Sequence, residues 1–109
     1  MKTFAPERHF AYDERLGIPV PQLRKDWDAF TPSEQSEMIY YWETVRGRIP
    51  DRIFAFEKEI VALQQRLDDE ERFDVVCDLT WEIADRASRI NDLHLLFRLN
   101  QDVAVKAHH

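Results

Sequence analysis

At 109 residues, with 44% hydrophobic and 33% charged side chains, the chain has the size and balance of one folded domain with a modest core. A net charge of −6 sets its surface against nucleic acid phosphates and anionic lipid. Cys77 is the single cysteine, which excludes an internal disulfide, and no apolar run approaches transmembrane length.

The opening Met1-Lys2-Thr3-Phe4-Ala5-Pro6-Glu7 carries no apolar signal core, so the expected compartment is the cytoplasm. Residues 1–30 read as a mostly extended N-terminal arm. Ile18-Pro19-Val20-Pro21 is pushed out of the helical region by its prolines. Pro21 to Ala29 has room for one or two helical turns, with Leu23, Trp27 and Phe30 on one face. Phe4, Phe10, Tyr12, Leu16, Ile18 and Val20 make the arm too apolar for a free tail, so it is expected to pack on the body or on a partner.

Residues 31–109 read as a single helical domain. Thr31-Pro32-Ser33-Glu34 is a capping box with proline at the first helical position, opening a helix over about 32–46. Met38, Tyr41, Trp42 and Val45 form its inward stripe. Arg46-Gly47-Arg48-Ile49-Pro50-Asp51 then reads as a stop and a restart: Gly47 supplies a left-handed C-terminus, while Pro50 and Asp51 suit a new N-terminus. A second helix over about 51–67 places Ile53, Phe56, Ile60, Leu63 and Leu67 on one seam. Asp68-Asp69-Glu70-Glu71 is the polar break before a third helix over about 70–100. There Phe73, Val76, Thr80, Ile83, Ala87, Ile90, His94 and Phe97 alternate spacings of three and four.

The expected fold is therefore all-α: an antiparallel helical hairpin with a long third helix packed on it, like a three-helix bundle, and an extended arm. The third helix spans roughly 46 Å and the first two roughly 22 and 25 Å, at about 1.5 Å per residue. A hairpin of that size leaves the far half of the third helix uncovered, and Leu93, Leu95, Leu96, Phe97 and Leu99 lie there. The mismatch calls for the arm, a break near Asn91-Asp92, or another subunit.

The functional expectation is a small non-catalytic interaction or regulatory protein, homodimeric through the third helix, with no cofactor. Its candidate interface comprises Trp81, Ala84, Ser88, Leu95, Leu96 and Leu99. Small residues there admit another backbone, although the arm competes for the same face, above all for Trp81.

Two other readings compete. Glu82-Ile83-Ala84-Asp85, with Glu34-Gln35-Ser36-Glu37, has the carboxylate spacing by which all-α nucleotide pyrophosphohydrolases hold magnesium. Against it, such pairs abound in acidic helices, the two motifs stand 45 residues apart, and no lysine set awaits the phosphates. Arg46, Arg48 and Arg52 form a basic spot at the helix turn, suited to an acidic or phosphate-bearing partner or to local duty at helix ends. Cys77 and His94 lack companions for catalysis or metal binding and read as packing residues. His108 and His109 are assigned no role.

Overall fold

A computed structural model describes the backbone of residues 4–107 and the side chains of residues 4–99; His108 and His109 lie outside them. Its elements are a 3-10 turn (Pro6–His9), strands β1 (Phe10–Asp13) and β2 (Ile18–Pro21), a second 3-10 turn (Trp27–Ala29), and helices α1 (Pro32–Arg46), α2 (Ile49–Asp68) and α3 (Phe73–Ala107).

The N-terminus of α1 forms as its sequence dictates. Thr31 Oγ1 accepts from the Glu34 N–H at 3.1 Å, and Glu34 Oε1 accepts from the Thr31 N–H at 2.9 Å. Its C-terminus does not. Gly47 (φ −62°, ψ −17°) and Arg48 (φ −86°, ψ −15°) both keep right-handed helical angles. The Gly47 N–H still donates to Glu43 O at 3.1 Å, and the Arg48 N–H shifts to Val45 O at 2.9 Å. Pro50 has no N–H for the carbonyl of Arg46, so the ladder loses a rung and the helix bends without reversing. Residues 32–68 thus form one bent helix of 37 residues.

This overturns the expected all-α, three-helix arrangement: α1 and α2 run end to end and do not form an antiparallel hairpin. The antiparallel pair is α2 with α3, joined across Asp69–Arg72, and α1 continues along the same partner. Glu59 meets Arg86, Phe56 meets Arg89 and Arg46 meets Phe97, in steady antiparallel order. The bent helix spans roughly 55 Å and the 35 residues of α3 about 52 Å, within a molecule 62 Å long. The supposed mismatch, and the need it created for another subunit, disappears.

The N-terminal segment is not simply extended either. β1 and β2 pair antiparallel, with Ala11 opposite Val20 and Asp13 opposite Ile18. Pro19 and Pro21 occupy alternate positions, out of phase with Gln22, whose N–H donates to His9 O at 2.8 Å, so neither proline removes a ladder donor. The turn closes through Gly17, whose φ of +79° a side chain resists, and through Asp13 Oδ1, which accepts from the Leu16 N–H at 3.0 Å. Pro21 to Ala29 forms only the short 3-10 turn, where Trp27 and Phe30 still meet at 6.2 Å between ring centroids.

The main core lies where this β-hairpin meets the bend. Leu16 and Ile18 from the hairpin pack with Trp42, Val45, Ile49, Ile53, Phe56 and Leu93. Phe10 stands edge-on to Tyr41, and Arg46 lies over the Phe97 ring at 4.1 Å. The seam of α3 is also rotated from expectation. Leu79 and Leu93 are buried, whereas Phe73, Thr80, Ala87 and His94 are exposed. Among the described residues no helix is long and apolar enough to cross a membrane.

Candidate functional site

The polar residues of α3 divide by helix face, and the division follows the hairpin. Its turn presents Arg15, which donates to Asp92 Oδ2 and to Ser88 Oγ, both at 2.7 Å. The carbonyl of Arg15 accepts from Arg89 at 3.2 Å, and that of Leu16 accepts from Arg52 at 3.1 Å. Arg52 and Arg89 both lie over the Phe56 ring, at 4.9 and 5.5 Å. Asp85 pairs with Arg89 at 2.8 Å and with Arg86 at 3.4 Å. Arg15, Arg52, Asp85, Arg89 and Asp92 therefore form a clamp that holds the hairpin turn against α2 and α3. Planar guanidinium groups suit it, because each can bond a carbonyl edgewise while stacking on an aromatic ring.

This clamp settles where the basic residues at the bend go. Arg52 serves the hairpin, and Arg46 donates to Phe97 O at 2.9 Å, while Arg48 stands exposed. Arg46 and Arg52 thus engage different neighbours. The carboxylates of the metal reading are also dispersed. Glu34 serves the α1 cap and Asp85 the clamp. In the antiparallel register Glu82 lies level with about residue 62, some 25 residues or roughly 38 Å along the bent helix from Glu37. Among the described residues no group of three or more His, Cys, Asp or Glu side chains could hold a metal ion.

The candidate interface residues fall into two sets. Ser88 is engaged by Arg15, and Leu96 packs against the core. Trp81, Ala84, Leu95 and Leu99 remain exposed, Trp81 at 68% of its surface. The arm does not cover Trp81. Trp81 forms one wall of a shallow depression, with Arg66, Val75, Asp78, Leu79 and Glu82 around it. Trp81, Ser88 and Leu95 follow one another at seven-residue intervals, so they share the face of α3 that points away from α2.

Two surface features escaped the sequence. Phe54 and Val61 stand exposed on α2, seven residues apart, with Lys58 over the Phe54 ring at 4.5 Å. Helical periodicity allows both to widen the core stripe of that helix, and only the burial pattern separates them from it. The other is an apolar groove of about 650 Å³ between the hairpin side and the first turns of α1, lined by Phe10, Leu23, Trp27, Met38, Ile39 and Trp42 among others. The buried Trp42 Nε1 has no hydrogen-bond partner among the described residues. Its walls come from segments far apart in sequence, so no local motif announces it.

The fold and surface together define a bent two-helix antiparallel pair braced by an N-terminal β-hairpin. No family model, curated protein or solved structure matches the chain.

Proposed function

We propose that this is a small, non-catalytic, cytoplasmic interaction protein that works through the outer face of α3. The observation that carries the reading is Trp81. A tryptophan exposed to 68% on a helix, in line with Leu95, is an anchor that no hydrogen bond or ring contact ties down among the described residues. The clamp supports the same reading, because it commits Asp85, Arg89 and Asp92 of α3 to holding the fold together. An enzyme built on Glu34, Glu37, Glu82 and Asp85 finds no support in their separation along the molecule.

The test is a paired capture. The chain is immobilised as wild type and as Trp81→Ala/Leu95→Ala, and retained proteins from its own cell extract are compared. Both positions are exposed, so the helical circular dichroism should be unchanged. Selective loss of a retained protein by the double variant is the expected result. Equal retention by both removes α3's outer face from consideration.

A further inference from the structure

The α2–α3 pair has two flanks, and among the described residues only one is occupied. Arg52 and Glu59 of α2 and Arg89 of α3 mark the flank that receives the hairpin. The seam residues between the helices are Ile53, Phe56 and Leu63 on α2 and Leu79, Ile83, Ile90 and Leu93 on α3. Helical periodicity then places Phe54, Glu57, Val61 and Gln64 of α2 on the opposite flank. Beside them come Phe73, Cys77, Thr80, Ala84, Ala87 and Asn91 of α3. Every one of these ten is exposed.

The α3 half of this flank carries no formal charge from Phe73 to Asn91, in a chain that is 33% charged. Its centre is small: Thr80, Ala84 and Ala87. The α2 half is bulky, with Phe54 at 58% exposure and Val61 beside it. Knobs on one helix and shallow holes on its neighbour make the flank complementary to itself under a two-fold axis, so that α2 of each copy lies over α3 of the other.

We propose that a second copy of this chain occupies this flank, turning two helical pairs into a four-helix layer. This rests on the reading as an interaction protein and assigns it a partner and a face. The area suffices: a patch about 30 Å long and about 20 Å wide gives about 600 Å² per copy, or about 1,200 Å² in total, the lower end for a stable interface. Shape complementarity favours self-association over a foreign helix, because both halves of the fit are present on one surface. Glu57 stands on the flank beside Lys58, whose ammonium lies over the Phe54 ring at 4.5 Å, and burying the Glu57 carboxylate in the dimer lowers affinity.

The experiment is light scattering on a sizing column at protein concentrations up to about 100 µM, where a Kd near ~1 µM is saturated. The wild type is expected at twice 13.1 kDa. Ala84→Arg is expected to give a monomer with unchanged helical content, and Val61→Arg repeats the test should the first variant fail to fold. Glu57→Gln is expected to tighten the dimer by about tenfold. A wild type that stays at 13.1 kDa overturns the proposal, as does a dimer that Ala84→Arg and Val61→Arg both leave intact. Trp81 and Leu95 border this flank on α3, and their role is judged separately by their own capture experiment, because loss of a foreign partner leaves the mass of the free chain unchanged.

Discussion

The guanidinium of Arg52 occupies the space a side chain on Gly17 would need: a Cβ built there would lie 2.7 Å from Arg52 Nε. Gly17 also holds φ at +79°. Conformation and close approach demand glycine independently, and both serve the docking of the hairpin turn on α2. Gly17→Ala is expected to cost about 1–3 kcal/mol, combining backbone strain with displacement of Arg52. That lowers the melting temperature by about 4–8 °C for each kcal/mol. Arg52→Ala, made alone and together with Gly17→Ala, completes a double-mutant cycle. Coupling between the two is expected, whereas strict additivity would mean that they do not meet.

Gly47 behaves oppositely, although its place between Arg46 and Arg48 ahead of Pro50 suggests a left-handed helix end. It sits at φ −62° in helical conformation, and a Cβ there would meet only the carbonyl oxygens of Thr44 and Glu43, at 3.5 and 3.6 Å. Gly47→Ala is therefore expected to stabilise the protein by about 0.4–1 kcal/mol, by restricting the unfolded chain. Had the chain reversed here through a left-handed glycine, the same substitution would destabilise it. Thermal or urea unfolding of this single variant separates a bent helix from a helical hairpin.

Signals carried by neighbouring residues were legible, and signals that depend on distant packing were not. The capping box marked the start of α1 at Pro32, and the three-four spacing of Ile53, Phe56, Ile60 and Leu63 gave α2 its seam. The bend was misread because glycine followed closely by proline fits either a reversal or a lost rung in a continuing ladder. The choice rests on what α3 covers. The β-hairpin was missed because Pro19 and Pro21 argue against a strand, and only their shared phase makes them harmless. Of the site, the exposure of Trp81 and Leu95 was open until the arm was seen to dock elsewhere. The clamp joins Arg15 to residues more than 70 positions away, beyond any local pattern.

Arg89 concentrates more of the clamp than any other side chain. It bonds Asp85 and the Arg15 carbonyl and lies over Phe56, with its buried Nε left without a partner among the described residues. Lysine keeps the charge but loses the planar fork and the stacking, so Arg89→Lys is expected to cost about 1–2 kcal/mol. Arg15→Ala removes an ion pair whose partners are both more than a third exposed, and should cost no more than about 1 kcal/mol. Hydrogen exchange localises the effect: the amides of Leu16 and Gly17 should lose protection in Arg89→Lys. Equal, small losses in the two variants would show that the hairpin is held by Leu16 and Ile18 alone.

The phase of α3 is tested by two adjacent residues. Leu93 is fully buried among Val45, Ile49 and the hairpin residues Leu16 and Ile18, whereas His94 is exposed. The sequence pattern accommodates either as the inward position, because shifting half of a three-four alternation by one residue preserves its spacing. Burial decides between them energetically. Leu93→Ala leaves a cavity at the junction of four elements and is expected to cost about 2–5 kcal/mol, while His94→Ala should remain within about 0.5 kcal/mol of wild type. Urea unfolding of both variants reads this directly. A reversed order would mean that α3 is rotated, and the flank assigned to the second copy would then be part of the core.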